Sequence, residues 1–324
     1  SRIVPLLGRP RLFLFVNMLI SALLSALLAN DIICFAFTPV LVLAILQAGL
    51  NPMPFLIGLA VASNIGSAAT IIGNPQNMLI GQVGRLHFAA FSLWCTPPSI
   101  ISLLAGYGII LLIYRNNLMA FIKSPISRET HAWPMFNPWQ TAKGVLAVTM
   151  LIALFFTSIP REVSAITIAG ILLCSRKMKT RDILGLVDWH LITLFCALFI
   201  IIEAVTQGGH LTTVMNWLTG WGLTPRSPVA LTGLSVVLSN VFSNVPAAML
   251  LTRFLDPHTP AEWYTLAVSS TFAGNLFILG SIANLIVIEQ AARYGVHISF
   301  KEHAITGIPV TLVSLILLMA WIGL

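Results

Sequence analysis

Long apolar segments recur along the chain, and polar residues interrupt several of them. Hydropathy places these segments near 12–29, 32–48, 55–80, 94–114, 142–159, 163–175, 189–207, 229–255, 263–291 and 304–324. A helix of about 20 apolar residues matches the thickness of the hydrocarbon core of a bilayer. The pattern therefore predicts helices that enter or cross a membrane.

The polar interruptions come in the same order in the two halves of the chain. In the first half they are Asn30 and Asp31, then Ser63 and Asn64, then Gly73, Asn74, Pro75 and Asn77. In the second half they are Ser243 and Asn244, then Ser270, then Gly280, Ser281 and Asn284. Matching breaks in two apolar halves are typical of transporters built from repeats.

Each half is predicted to contain a hairpin followed by a broken helix. Segments 12–48 and 229–255 have a polar break in the middle, which favours re-entrant hairpins. Segments 55–80 and 263–291 are predicted to be transmembrane helices that unwind at their breaks. Lipid tolerates such breaks only where protein or a water-filled cavity satisfies the freed backbone groups. The predicted fold is an all-α polytopic membrane protein of two inverted repeats.

The composition agrees with a membrane protein. Hydrophobic residues make up 57% of the chain and charged residues only 8%, and the mean hydropathy is +0.94. A soluble domain carries roughly a quarter charged residues. The four cysteines show no CxxC or Cys/His spacing, so they are interpreted as small buried apolar residues, not as disulfide or zinc ligands.

The net charge of +7 indicates membrane orientation rather than nucleic-acid binding. If both hairpins return to the side from which they came, thirteen of the 17 Lys and Arg residues fall on one side of the membrane. Short basic loops are retained on the cytoplasmic side. That side is therefore predicted to be cytoplasmic, and the carboxyl terminus is predicted to lie on the outer side.

Three regions are predicted along the chain. They are a first repeat at 1–114, a cytoplasmic link at 115–143 and a second repeat at 144–324. The second repeat has a helix at 189–207 before its hairpin, whereas the first repeat begins almost at its hairpin. We therefore expect at least one further helix before Ser1 in the native protein.

Asn30 and Asp31 are predicted to end the first half-helix. An ionisable side chain in an apolar segment normally faces a cavity and has a function. Cation coordination and reversible protonation are the candidate roles, and the predicted sodium ligands are Asn30, Asp31 and Asn77. The alternative is that Asp31 only caps the following helix. Val245 takes the matching place in the second half, so the charge lies on one side only.

Glu203 is a second acid inside an apolar segment. It is a candidate proton relay, or a partner for a basic group. Because Glu203 lies near the end of its helix, the alternative is that its carboxylate reaches water.

Segment 73–77 (Gly-Asn-Pro-Gln-Asn) is the strongest sequence indication of a helix break. Pro75 removes a backbone donor and Gly73 lowers helix stability, so the helix is expected to unwind there. Unwinding exposes carbonyls that can hold a cation, and the amides of the next half-helix can face an anion. The alternative is a kinked helix whose small residues permit close packing. The candidate substrate and ion ligands are Asn30, Asp31, Ser63, Asn64, Gly73, Asn74, Pro75, Asn77, Ser243, Asn244, Gly280, Ser281 and Asn284.

These motifs resemble those of the ion transporter superfamily over nearly the whole chain. The residues that carry the resemblance are Asn30-Asp31, Thr38-Pro39, 73–77, 239–246 and 280–285. The superfamily includes the arsenite pump membrane subunit, citrate symporters, divalent anion/sodium symporters and a sodium/proton antiporter family. The chain is most similar to the arsenite-pump branch and to bacterial inner-membrane anion transporters. The resemblance implies a scaffold and a mobile transport domain, made of both hairpins and both broken helices, within a homodimer.

The hairpin tips depart from one branch of that superfamily. In the dicarboxylate branch each tip carries Ser-Asn-Thr, whose groups hold sodium and the substrate carboxylates. This chain has Ala-Asn-Asp at 29–31 and Ser-Asn-Val at 243–245. The loss of both Thr residues argues against dicarboxylate transport and leaves Asn30 and Asn244 as the site residues that the resemblance implies.

The sequence thus favours an ion-coupled secondary transporter of a small anion, or of a neutral oxyacid such as arsenite, in the bacterial inner membrane. The coupling ion is expected to be sodium or a proton, with no cofactor. The expected partners are a small-molecule or ion substrate and membrane lipid, not nucleic acid. A sodium/proton antiporter is the nearest alternative, because Asp31 suits cation exchange and no Arg lies at a break.

Two further classes are less favoured. An intramembrane enzyme is a remote alternative, because the chain has no HExxH motif and Gly66-Ser67-Ala68 lacks the following Gly of a nucleophile motif. A channel would need a continuous pore, whereas paired inverted breaks favour alternating access.

Overall fold

The computed structural model describes residues 8–118, 137–157, 159–174, 189–209 and 226–324, and the isolated positions 185, 187, 213, 216, 217, 220 and 224. The regular structure within these ranges is helical. The predicted cytoplasmic link falls largely outside them.

The helices follow the apolar segments. The first half contains α1 (Pro10–Leu28), α2 (Asn30–Gln47), α3 (Met53–Ser67), α4 (Pro75–Val83) and α5 (Phe88–Tyr114). The middle of the chain contains α6 (Pro138–Phe155), α7 (Arg161–Leu173) and α8 (Trp189–Gln207). The last part contains α9 (Pro228–Phe242), α10 (Asn244–Leu251), α11 (Pro260–Ala273), α12 (Ile282–Ala292) and α13 (Phe300–Ile322).

The turns between α1 and α2 and between α9 and α10 each consist of one residue. Ala29 has φ 68° and ψ 141°, and Ser243 has φ 79° and ψ 159°. Positive φ is uncommon for residues with a Cβ and costs on the order of 1–3 kcal/mol. We call residues 29–31 the first tip and residues 243–245 the second tip. The two tips share one rare backbone conformation.

One prediction about the first tip is wrong. Asn30 and Asp31 begin α2 and do not end the helix before it. The reason is that the chain turns one residue earlier, at Ala29, so both polar side chains belong to the first turn of the following helix. The second tip has the same arrangement, with Asn244 as the first residue of α10.

Two apolar segments are broken into separate helices. Segment 55–80 forms α3 and α4, which are separated by residues 68–74. Segment 263–291 forms α11 and α12, with a short 3₁₀ turn at Ile278–Gly280 between them. Pro75 occupies the first position of α4, where its missing N–H removes no intrahelical bond.

The helix contacts of residues 8–118 recur in residues 226–324. Helix α1 packs on α3 as α9 packs on α11, and α2 packs on α12 as α10 packs on α4. Helices α5 and α13 contact each other. Gly66 on α3 permits a close approach to α1, because a Cβ there would overlap the backbone of Ala22.

The chain forms two compact units. One unit spans Ser1–Ile126 and Leu211–Leu324 and contains both tips and both broken helices. The other spans Ser127–His210 and contains α6, α7 and α8, of which α6 packs on α7.

Helix length and surface character identify an integral membrane protein. Among the described residues, α1, α2, α5, α6 and α13 are long and apolar enough to cross a membrane. Large apolar side chains are exposed on these units, with Leu93 76% and Ile166 74% accessible. A soluble monomer rarely exposes apolar surface on this scale, whereas lipid favours it.

Candidate functional site

A pocket lies where the two tips meet the starts of α4 and α12. Its lining consists of Asn30, Asp31, Pro75, Gln76, Ser243, Asn244, Val245, Ser281 and Ile282. The space between these residues, including the open mouth, is about 260 Å³. Residues from both halves of the chain therefore meet at one pocket.

Each tip contributes a buried asparagine to the lining. Asn30 is 4% exposed and Asn244 is 6% exposed. The amide oxygen Oδ1 of each has no hydrogen-bond partner among the residues that the structure describes. Leaving a buried acceptor unsatisfied costs about 1–3 kcal/mol. These two oxygens therefore mark a place where a ligand would complete the hydrogen bonding.

Asn64 on α3 connects the first tip to the second half of the chain. Its Nδ2 donates to Oδ1 of Asn275 at 2.9 Å and to Oδ1 of Asn284 at 3.0 Å. Its Oδ1 accepts from Nδ2 of Asn30 at 3.1 Å and from Oγ of Ser281 at 2.9 Å. Both ends of this buried amide are thus bonded, and the partners come from both halves.

The backbone of the first tip is tied to the first broken helix. The amide nitrogen of Asn30 donates to the carbonyl oxygen of Gly73 at 2.9 Å. Oγ of Ser63 donates to the carbonyl oxygen of Asn30 at 3.1 Å, and the Ser63 and Ser25 hydroxyls lie 2.8 Å apart. These bonds fix the position of the first tip against α3 and the unwound segment that follows it.

Asn77 and Asn284 make matching hydrogen bonds. Each donates from Nδ2 to the backbone carbonyl oxygens ten and seven residues earlier, at 2.7–3.2 Å. Oδ1 of Asn77 accepts from Oγ1 of Thr271 at 3.4 Å, and Oδ1 of Asn284 accepts from Asn64. Thr271 stands 207 positions after Asn64, as Asn284 does after Asn77. The two halves therefore use equivalent residues to hold their breaks.

The carbonyls of the unwound segments accept hydrogen bonds from the protein itself. Besides the bonds from Asn77 and Asn284, Nε2 of His303 lies 3.1 Å from the carbonyl oxygen of Asn275. The carbonyl oxygen of Gly73 accepts from the first tip. These contacts stabilise the breaks, and they give no support to the expectation that the unwound carbonyls hold a cation.

The amino-terminal ends of four helices meet at the pocket. The lining residues at these ends are Asn30 and Asp31 of α2, Pro75 and Gln76 of α4, Asn244 and Val245 of α10, and Ser281 and Ile282 at the start of α12. First-turn amides lack intrahelical partners, and the helix dipole places about half a positive charge at each amino-terminal end. The backbone thus gives the pocket a positive field, although none of its lining residues is Lys, Arg or His.

Asp31 contributes the one acidic side chain of the pocket lining. It is half-buried in the first turn of α2, where the helix dipole stabilises a carboxylate. The residue that precedes α2 is Ala29, which makes no side-chain cap, so Asp31 is not the capping residue of this helix. Val245, 214 positions later, takes the equivalent place on the opposite side.

The predicted ligands fall into two layers. Six of them line the pocket: Asn30, Asp31, Pro75, Ser243, Asn244 and Ser281. Others lie in the hydrogen-bond network behind the lining, namely Ser63, Asn64, Gly73, Asn74, Asn77 and Asn284. Gly280 lies at the second break, where a Cβ would come within 2.7 Å of Oδ1 of Asn240. A side chain at position 280 would therefore displace Asn240.

Two residues with predicted roles do not line this pocket, and their roles stay predictions. Asn77, grouped with Asn30 and Asp31 as a sodium ligand, does not line the pocket, because its amide is bonded to the first break and to Thr271. Glu203, the candidate proton relay, belongs to the unit that holds α8 and is not a lining residue. It is exposed and accepts a hydrogen bond from Nε2 of Gln207 at 3.2 Å.

Five residues of the site were not among the predicted ligands. They are Gln76, Val245 and Ile282 in the lining, and Thr271 and Asn275 behind it. The 207-residue spacing of the repeats points to Thr271 through Asn64. Ile282 is an ordinary apolar residue in an apolar segment, so the sequence carries no signal for it.

A pocket framed by helix ends within an apolar helical protein is typical of membrane transporters. The chain belongs to the citrate transporter family, whose model matches residues 1–273. This assignment places the chain within the superfamily that its motifs resemble.

Several curated proteins are similar along most of the chain. The 46 kDa membrane protein of Mycobacterium leprae is 30% identical and covers 96% of this chain and 76% of its own length. The silicon efflux transporter LSI3 of Oryza sativa is 29% identical, over 91% of this chain and 75% of its own length. The inner membrane protein YbiR of Escherichia coli is 29% identical, over 87% of this chain and 70% of its own length.

Proposed function

We propose that this protein is an ion-coupled secondary active transporter of a small anion or oxyacid. The observation that carries the proposal is the pocket at which four helix ends meet two buried asparagine oxygens that lack partners among the described residues. The helix ends favour a negatively charged or polarised group, and the oxygens favour a cation or a hydrogen-bond donor. Such a site suits an anion together with a cation, or a hydroxyl-bearing acid.

Anion binding is assigned to the backbone. The four helix ends, each with about half a positive charge, together place the equivalent of about two positive elementary charges around the pocket. Because no basic side chain lines the pocket, the anion would be held by first-turn amides and the hydroxyl group of Ser243. A bound anion without a strong fixed countercharge needs a cation or a proton beside it, which is the physical basis of the proposed coupling.

The coupling cation is assigned to the first tip. Oδ1 of Asn30 and the Asp31 carboxylate belong to the same helix turn, and carbonyl and carboxylate oxygens are the ligands that hard cations prefer. The second tip offers only Oδ1 of Asn244, because Val245 replaces the acid. Sodium is the proposed occupant, and reversible protonation of Asp31 is the alternative form of coupling.

Alternating access is proposed to use the two halves as inverted repeats with re-entrant helix pairs. Support comes from equivalent hydrogen bonds at a constant spacing and from helix contacts that recur between the halves. The unit that holds both tips and both broken helices corresponds to a transport domain, and α6–α8 to part of a scaffold. A homodimer in the bacterial inner membrane, with the carboxyl terminus on the outer side, completes the proposal.

The substrate class is proposed from the pocket and from the relatives together. The pocket lining combines helix ends, amide oxygens and one acid, which suits a small polar solute. The family takes its name from citrate transport and one relative is named for silicon efflux, so both a carboxylate and an inorganic oxyacid belong in the first tests.

Uptake into proteoliposomes tests the proposal. Citrate, arsenite and silicate are offered to reconstituted wild-type protein under an imposed sodium or proton gradient. We expect gradient-driven uptake of at least one of them, and loss of that uptake when Asn30→Ala and Asn244→Ala are combined. Asn17→Ala is the matched control, because Asn17 is equally buried but only donates to the Phe55 carbonyl. Uptake by the double variant at the wild-type rate would contradict the proposal.

A sodium/proton antiporter is the second candidate. The acid on one side of the pocket and the lack of a basic lining residue favour cation exchange. In this case sodium added outside would collapse a preformed pH gradient in the absence of any anion. If the collapse requires an anionic substrate, the antiporter is excluded.

A further inference from the structure

The orientation of the Asn30 amide follows from a chain of hydrogen bonds that begins in the second half of the protein. We infer that Asn64 is a positioning residue, which turns the amide oxygen of Asn30 toward the coupling cation. The inference rests on the proposed cation site at the first tip. It adds a residue that does not itself touch the ligand.

The orientation of the Asn284 amide is determined by backbone carbonyls. Its terminal amide nitrogen faces the carbonyl oxygens of Gly274 at 2.7 Å and Phe277 at 3.2 Å. A backbone carbonyl only accepts hydrogen bonds, so the NH₂ group must point at these two atoms. Oδ1 of Asn284 then points at Asn64.

The orientation of Asn284 in turn determines the orientations of the Asn64 and Asn30 amides. Asn64 has to present its NH₂ group to Oδ1 of Asn284, so its own Oδ1 faces the first tip. Asn30 must then donate, and its NH₂ group is 3.1 Å from that oxygen. The atom of Asn30 that remains for the pocket is Oδ1, which has no partner among the described residues.

Among the described residues, the second tip has no equivalent of the asparagine relay, by which we mean the hydrogen bonds from Asn284 through Asn64 to Asn30. Thr271 replaces Asn64 there, and its hydroxyl lies 3.2 Å from Nδ2 of Asn74 and 3.3 Å from Nε2 of Gln76. The single hydroxyl proton of Thr271 is donated to the carbonyl oxygen of Ala267 at 2.7 Å. Its bonds from Asn74 and Gln76 do not involve Asn244, so Thr271 does not set the orientation of the Asn244 amide. The half of the protein that carries Asp31 is therefore the half whose tip amide has its polarity fixed by an asparagine relay.

The test measures sodium binding, not transport. The purified full chain in detergent is titrated with sodium chloride against choline chloride at constant ionic strength, and the melting temperature Tm gives the half-saturating sodium concentration. Asn64→Thr introduces the residue that the second half uses. We expect the half-saturating concentration to rise about tenfold, because the Asn30 amide is then free to reverse.

A double-mutant cycle separates positioning from a general loss of stability. In an Asn30→Ala background, Asn64→Thr is expected to cause no further weakening of sodium binding, because it acts through Asn30. The control Asn17→Thr removes a buried asparagine between α1 and α3. It is expected to lower the Tm without sodium and to leave the half-saturating concentration unchanged.

Three results would overturn the inference. They are wild-type sodium affinity in Asn64→Thr, independent effects of the two substitutions in the cycle, and a wild-type protein that sodium stabilises no more than choline. The proposed transport function fails in a different experiment, by the absence of gradient-driven uptake, so the two outcomes are distinguishable.

Discussion

At the scale of residues, the buried groups that connect the two halves are neutral amides. Asn64, Asn77 and Asn284 are buried and use both ends of their amides in hydrogen bonds, and each makes at least one bond to the other half of the chain. A buried amide avoids most of the desolvation cost of a buried ion pair. The single acid of the pocket lining, Asp31, is therefore the group to which we assign the proposed coupling.

Asp31→Asn tests that assignment. The amide is close in shape to the carboxylate, so the fold should be retained while the charge is lost. If Asp31 holds the coupling ion, uptake in proteoliposomes should no longer depend on the sodium or pH gradient. A purely structural role at the start of α2 predicts nearly unchanged uptake, because Asn also tolerates the first turn of a helix. Unchanged gradient dependence would rule out the coupling role.

Ala29→Gly tests the backbone strain of the first tip. Glycine adopts the φ of 68° at position 29 without a Cβ clash. After subtraction of the greater flexibility of glycine in the unfolded chain, a gain in stability of about 1 kcal/mol is expected. Ala44→Gly, within α2, is the control and should lose about 1 kcal/mol. Thermal unfolding checks both, and a loss at position 29 equal to that at 44 would contradict the strain.

At the scale of elements, each broken helix is stabilised by its own side chains. Asn74 and Ser281, which precede α4 and α12, cap these helices by accepting hydrogen bonds from first-turn amides. Asn77 and Asn284 then engage the carbonyls of the segment before the cap. Because these bonds satisfy the unwound backbone, a break can persist in an apolar environment.

Helix positions were predictable, whereas amide orientations were not. Hydropathy placed a helix at 189–207, where α8 lies, and placed the first segment within two residues of α1. Apolar runs, Pro75 and the glycines carry that signal locally. The orientation of Asn30 depends on Asn64 and Asn284, which are far away in sequence, so no local pattern encodes it.

Gly66→Ala tests the close approach of α3 to α1. A methyl group at this position would overlap the Ala22 backbone, which cannot move without shifting α1. We expect a loss of about 1–3 kcal/mol in stability from overpacking. Gly108→Ala on α5 has open space around the added methyl group and should gain up to about 1 kcal/mol. Equal Tm values for the two variants would show that α1 and α3 can move apart with no loss of stability.

At the scale of the whole molecule, the two halves supply equivalent elements to one pocket but unequal chemistry. The spacing of 207 residues relates Asn77 to Asn284 and Asn64 to Thr271. Asp31 on one side and Val245 on the other make the pocket asymmetric. An asymmetric site between equivalent elements supports the proposed binding of one coupling ion beside one substrate.

The proposed inverted arrangement predicts on which side of the membrane positions 115 and 324 lie. In a variant whose four cysteines are replaced by serine, Leu324→Cys should react with a membrane-impermeant maleimide added outside intact cells. Arg115→Cys, at the end of α5, should react only after the membrane is opened, because thirteen of the 17 basic residues place that side in the cytoplasm. Reversed labelling of the two positions would overturn the predicted orientation.

The most direct test of the central claim is a cryo-EM map of the protein with the substrate and coupling ion that the uptake experiments identify. The account predicts substrate density between Asn30 and Asn244, facing the first turns of α2, α4, α10 and α12, with the ion beside Asp31. Density at any other place, with this pocket empty, would contradict it.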